Sequence, residues 1–405
     1  MHLTPLRLNC AKLLVAVCFV WPFINASYFF PDSTVEINFL PTFIAIGFVP
    51  ELFFGDMISV ALIATVVLMA AVWGSTDSAL RLIIGAVPCL FIVSLYRECS
   101  RRGEELIPFS IAYWGLVAFV GFSALQYINF NVVEIIPDWF TKVMTIIVPR
   151  YMDTPYDDLG IRGVQGWASE PSSAAMTCFA FCIVAIKQNP KKCWQILFIF
   201  AVLTALNKSV YAMLFLVLLG TGCLWYVKRK KYALITLVLF GTLFTYFALH
   251  SVRVAELRDS VLFFGIDQEV NREFLRLGQI IYPLSAFPNI YRPVTIFNIV
   301  MQPLGLLPLL VGYGSVVGAV LYFRLLFGKF RFSQTDSPGL GLASILVLSF
   351  FSSPDFIPIV LAFVYGMAPE KNFIPASLPA SKTNWLSRST RMLAEGGPAI
   401  PQQGM

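Results

Sequence analysis

Charge is scarce in this chain. Only 13% of its 405 residues are Asp, Glu, Lys or Arg, against 58% hydrophobic; a soluble domain carries about 25% charged residues. That balance excludes a water-soluble enzyme. Histidine is scarcer still, with only His2 and His250, so a His-rich metal site is excluded, and no Cys/His spacing suggests zinc. No Walker loop and no dinucleotide fingerprint occurs, so no nucleotide use is implied. External cysteines are missing too. Of the eight, Cys10, Cys99, Cys193 and Cys223 fall near basic turns and Cys18, Cys89, Cys178 and Cys182 fall within apolar runs. No disulfide framework is expected, and all eight read as small buried hydrophobes.

What is present is a series of apolar runs near 11–30, 37–50, 57–73, 79–96, 106–128, 172–187, 192–207, 210–227, 232–250, 294–323 and 340–367, under a mean hydropathy of +0.75. Roughly 20 apolar residues cross a bilayer as a helix, and backbone groups in lipid must pair internally. The pattern predicts an all-α polytopic membrane protein of about eleven to twelve transmembrane helices. Ser352-Ser353-Pro354-Asp355 interrupts the last run, so that run is expected as two short helices joined by a turn. The first run follows Arg7 and Lys12 without a small-residue cleavage pattern, and is expected to be an uncleaved span. The membrane domain takes in 1–368. The tail, 369–405, is rich in Pro, Ser, Ala and Gly and is expected to be a disordered cytoplasmic segment.

Basic residues set the orientation. With the N-terminus inside, the inner turns carry Arg97, Arg101 and Arg102; Lys187, Lys191 and Lys192; Lys228, Arg229, Lys230 and Lys231; and Arg324, Lys329 and Arg331. One inner turn breaks the rule: 51–56 has Glu51 and Asp56 and no basic residue. The net charge of +6 then reflects basic turns meeting anionic lipid, not a nucleic-acid partner.

Two outer segments, 129–171 and 251–293, exceed the length of connectors. Each holds an amphipathic stretch suited to the membrane surface, 132–149 with Trp139, Phe140 and Val143, and 261–281 with Phe274, Ile280 and Ile281. The outer basic residues are Arg81, Lys142, Arg150, Arg162, Lys208, Arg253, Arg258, Arg272, Arg276 and Arg292. Arginine predominates among them, and its planar fork grips phosphate in a bidentate way that lysine does not. Arg258 and Arg272 have acidic residues at helical spacing that would pair with them; Arg162 and Arg292 have none. Arg272 and Arg276 are four apart and share a face of a helix. Asp153, Asp157 and Asp158 read as solvated loop carboxylates, or as a cluster for a divalent cation.

The densest polar element is Arg162-Gly163-Val164-Gln165-Gly166-Trp167-Ala168-Ser169-Glu170-Pro171-Ser172, which runs directly into an apolar span. Proline favours the first helical position, and Ser169 or Glu170 suits the cap. A carboxylate at that helix start, facing a cavity, is also placed to take a proton from a sugar hydroxyl. The chain then returns to a turn at Asn207-Lys208-Ser209, expected on the same side.

On these residues the chain resembles the O-antigen polymerase and O-antigen ligase superfamily of bacterial inner membranes. Polymerases of O-antigen and capsule repeat units show an arginine, a glycine and then Glu-Pro-Ser at a span entrance. The Asn207-Lys208-Ser209 turn looks like the family's next motif, although its Lys-Ser order departs from the family's Ser-Arg. The resemblance implies a GT-C-like architecture and a site facing the periplasm. It implies a metal-independent glycosyltransferase, without cofactor, that moves a growing glycan from undecaprenyl diphosphate to a sugar hydroxyl of the next lipid-linked unit. Glu170, Arg162 and Arg276 are then the catalytic candidates, and Arg272, Arg292, Arg150, Lys208 and Ser209 the substrate-binding ones. A flippase and a chain-length regulator would be its partners. The alternatives are a ligase using the same leaving group and a lipid-linked oligosaccharide transporter. A transporter would call for mid-membrane charge and internal repeats, and the sequence offers neither.

Overall fold

A computed structural model describes residues 4–22, 40–74, 76–133, 135–147, 164–168, 171–207, 210–229, 231–235, 238–239, 242, 270–293, 295–296, 299–300, 302–328, 337–350 and 356–368. These belong to a unit that takes in Met1–Pro369; the expected disordered tail, 369–405, lies outside the described residues.

The chain is an all-α membrane protein. Four helices are long and apolar enough to cross a membrane among the described residues: Ser78–Arg101, Phe109–Asn131, Pro171–Gln188 and Leu306–Leu326. In chain order the helices are α1 (Pro5–Val20), α2 (Leu40–Phe48), α3 (Pro50–Phe54), α4 (Met57–Trp73), α5 (Thr76–Arg101), α6 (Phe109–Asn131), α7 (Asp138–Ile147), α8 (Pro171–Gln188), α9 (Cys193–Asn207), α10 (Val210–Tyr226), α11 (Val270–Ser285), α12 (Leu306–Leu326), α13 (Pro338–Phe350) and α14 (Phe356–Met367). Their starts follow the sequence. Pro5, Pro50 and Pro171 open α1, α3 and α8, where the missing N–H costs nothing. The Asp56 side chain caps α4 by accepting from the Ser59 N–H at 3.2 Å.

The central helix is α8. Every residue from Ser173 to Lys187 is buried, as expected for a helix apolar on all sides, and it packs against α6, α9, α10 and α14. The split expected within 340–367 is present, as α13 and α14. They form a hairpin, with Gly341 near the start of α13 lying against Gly366 and Met367 at the end of α14. At 13 and 12 residues each helix is about 18–20 Å long, shorter than a bilayer core.

The expected span over 294–323 needs correction. Residues 302–305 are not helical, Thr295–Ile296 pairs with Ile299–Val300 as a small antiparallel hairpin, and the helix begins only at Leu306. Pro293 and Pro303 remove donors, and the β-branched residues between them favour extended backbone. The helix itself breaks at Ser315, whose backbone has φ 48° and ψ −128°. Gly314 packs against Val66 of α4, and Gly318 meets the backbone of Leu310, so the small residues allow the chain to fold on itself.

Ion pairs gather at one end of this bundle. Arg7 of α1 pairs with Glu51 at 2.9 Å and also donates through Nε to the Phe48 carbonyl at 2.7 Å. Lys12 meets Glu104 at 2.9 Å, Arg102 meets Glu98 at 2.9 Å, and Arg324 meets Asp56 at 2.8 Å. The turn before α6 is held as well: the Tyr365 hydroxyl accepts from the Ile107 N–H at 2.8 Å and donates to its carbonyl at 3.2 Å. The acidic 51–56 turn, an exception in the basic pattern, is thereby matched by Arg7 and Arg324 from distant helices.

Candidate functional site

At the opposite end of α1, α6, α8 and α9 lies the loop that the sequence singles out. Val164, Gln165, Gly166, Trp167 and Ala168 are all buried. A loop this deep must pair its backbone groups; two side chains contribute to that, and a third anchors the loop to α1. Gln126 Oε1, from within α6, accepts from the Gln165 N–H at 3.1 Å and the Gly166 N–H at 2.8 Å. Asn207 Nδ2, the last residue of α9, donates to the Val164 carbonyl at 2.8 Å and the Pro171 carbonyl at 2.9 Å. Trp167 Nε1 donates to the Val20 carbonyl at the end of α1 at 3.2 Å.

Trp167 is also the packing centre. It stacks on Trp21 with centroids 5.5 Å apart and planes 7° apart, and takes Phe119 edge-on at 4.5 Å. Phe122 lies 5.9 Å from Trp167 and passes the contact on to Phe140 of α7. Gly166 makes the tight turn possible: its φ is +61°, and a Cβ there would sit 2.5 Å from the Phe119 ring. Any other residue would meet both backbone strain and a clash. The surface-lying stretch expected over 132–149 is helical in α7, with Phe140 turned towards Phe122 and Trp139 65% exposed.

Asn207, at the end of α9, thus ties Val164 of the loop to Pro171 at the start of α8. The other side chains expected in the site fall elsewhere. Arg150, Arg162, Glu170, Lys208 and Ser209 lie outside the described residues, as do Asp153, Asp157 and Asp158. Arg272 and Arg276 occupy one helix, α11, and at four residues' spacing share a face; their side chains lie outside the described residues.

Arg292 is described. It is exposed, and its guanidinium sits over the Trp73 ring at 5.8 Å from the centroid. Its surroundings are α4, α11 and α12, a different set of helices from those around the loop. Sequence reasoning missed Gln126, Trp73 and Tyr313. Gln126 carried a signal, being an amide well inside an apolar run; Trp73 and Tyr313 read as ordinary span aromatics.

Compared with protein-family models, curated proteins and solved structures, the chain matches none.

Proposed function

We propose that the chain is a glycosyltransferase of lipid-linked oligosaccharides. It polymerises repeat units, moving a growing glycan from undecaprenyl diphosphate to a sugar hydroxyl of the next unit. In this reading the ion-paired end faces the cytoplasm of a bacterial inner membrane and the loop end faces the periplasm. The shorter helices join the four long ones to build a GT-C-like domain of about eleven to twelve crossings.

One observation supports it above the rest: the double hydrogen bond of Asn207 to the carbonyls of Val164 and Pro171. It ties Val164 and Pro171, which flank Glu170 in the sequence, to the last residue of α9, which Lys208 and Ser209 follow in the sequence. A general base needs that fixity, because proton transfer demands placement within hydrogen-bond reach. Glu170 takes the proton of the acceptor hydroxyl. Arg162, Arg276, Arg272, Arg292 and Arg150 offset the charge that grows on the departing diphosphate. No step requires a metal or cofactor.

The test is complementation of bacterial cells that lack their polysaccharide polymerase. Wild type should restore long polymer. Glu170→Gln and Arg162→Ala, at matched membrane levels, should leave single repeat units. Polymer made by both variants would remove these residues from the site. Polymer that forms without the protein but never reaches its acceptor would make the protein a ligase instead.

A further inference from the structure

Arg292 differs from three arginines of the ion-paired end. Arg7, Arg102 and Arg324 each meet a carboxylate at 2.8–2.9 Å. Among the described residues Arg292 has no such partner; its contact is the indole of Trp73. A guanidinium held over a ring makes no hydrogen bond to it, so its N–H donors stay available to a ligand. That is the state in which arginine receives a phosphate bidentately.

The surroundings hold both residues still. Trp73 ends α4 and is followed by Gly74, where a Cβ would lie 3.2 Å from the Tyr313 ring and 3.3 Å from Ser78. Tyr313 is fully buried, and its hydroxyl accepts from Ser78 Oγ at 2.8 Å. Tyr291, next to Arg292, donates its N–H to the Gly312 carbonyl at 2.7 Å and lies 6.5 Å from the Tyr313 ring. One buried tyrosine is therefore met by the neighbours of Trp73 and of Arg292, which holds the two backbone segments that carry the indole and the guanidinium beside one another. Such preorganisation lowers the cost of binding.

We propose that Trp73 is a positioning residue for Arg292, and that the pair forms a diphosphate-binding post at this end of the molecule. The identification of the ligand rests on the glycosyltransferase reading; the pairing of the two side chains does not. The post binds a diphosphate carried on a prenyl chain in preference to the free anion, because Trp73 is 49% exposed at the end of an apolar helix and sits where an isoprenoid meets its headgroup.

The experiment is calorimetric titration of the detergent-solubilised full chain with farnesyl diphosphate, farnesyl monophosphate and inorganic pyrophosphate. Farnesyl diphosphate should bind tightest. Arg292→Ala should weaken it about ten-fold or more, as expected for loss of charge-assisted hydrogen bonds. Trp73→Leu should weaken it by about two- to five-fold, the size of an exposed cation–π contact, and Trp73→Phe by less. The decisive variant is Trp73→Leu with Arg292→Ala, which should bind no more weakly than Arg292→Ala alone. Trp73→Leu binding like wild type would overturn the proposal. So would additive losses in the double variant, since Trp73 would then act independently of Arg292. Equal binding of pyrophosphate would replace the prenyl ligand with the free anion. Absence of farnesyl diphosphate binding by wild type would end the post, while polymer made by wild type in the complementation assay would keep the glycosyltransferase reading standing. Should Trp73→Leu fail to fold, Trp73→Phe and Arg292→Lys carry the same comparison.

Discussion

The two ends of α4 show how differently this protein treats its arginines. At the first end Asp56 caps the helix and receives Arg324. At the other, about 25 Å away along seventeen residues, Trp73 receives Arg292. The first arrangement closes a charge account within the fold; the second holds a cation while leaving its donors available. The same contrast extends over the rest of the unit. The ion-paired end is laced by Arg7–Glu51, Lys12–Glu104 and Arg102–Glu98. The loop end is held by neutral amides and aromatics: Gln126, Asn207 and Trp167. An amide satisfies buried backbone groups without placing a charge among them.

The contrast is broken most forcefully at Asn207. Asn207→Leu keeps much of the volume but removes the donor from two carbonyls. A buried polar group left without its partner costs about 1–3 kcal/mol, so the pair of carbonyls should cost about 2–5 kcal/mol, read as loss of thermal stability in detergent. Asn207→Asp should be as harmful, because an ionised carboxylate repels both carbonyls. If Asn207→Leu unfolds at the wild-type temperature, the loop is not held as described. Gly166→Ala is a companion test of the same end. With φ +61° and Phe119 at 2.5 Å from the new methyl group, it should be destabilising by about 2–4 kcal/mol.

A smaller effect is expected where charge does the holding. Asp56→Ala removes a cap worth about 1 kcal/mol and an ion pair worth about 0–1 kcal/mol. Asp56→Ser, which retains capping ability, should recover the larger share. The loss due to Arg324 should shrink modestly in high salt, since a partly exposed ion pair is partly screened, whereas the Asn207 loss should not. Equal salt sensitivity at both sites would erase the distinction between the two ends.

How much of this was legible in the sequence depends on the reach of each contact. The membrane class followed from composition, and the break between α13 and α14 from Ser352-Ser353-Pro354-Asp355. The shared side of the Glu170 junction and the Asn207 turn followed from counting crossings. The acidic 51–56 turn did not explain itself, because its partners Arg7 and Arg324 stand 44 and 268 residues away. The helix expected from 294 failed because mean apolarity outweighed Pro303 and the β-branched run in the reading. Gln126 was passed over because an amide inside an apolar run has no visible role until the loop it pairs with is in place. Trp73 was passed over because its position above a guanidinium depends on how α4, α11 and α12 pack.

The finest expected effect lies at Glu104. The hydrogen bond from Lys12, and then its charge and that of Arg102, hold this carboxyl below the ordinary carboxylate range. A carboxylate lowered on folding contributes stability that is present above its unfolded value, about 4.3, and lost as pH falls through the lower, folded one. Acidification from neutral should therefore leave this contribution intact until roughly pH 4–5 and remove it below. Glu104→Gln should be slightly less stable than wild type at neutral pH and equal to it in acid, with a difference no larger than about 1 kcal/mol for a partly exposed pair. Because the loop end is held by groups that do not titrate in this range, Asn207→Leu should run parallel to wild type across the same pH series. A mid-acid convergence of Asn207→Leu with wild type would mean that a titrating group also supports the loop, and the division of labour between the two ends would have to be redrawn around it.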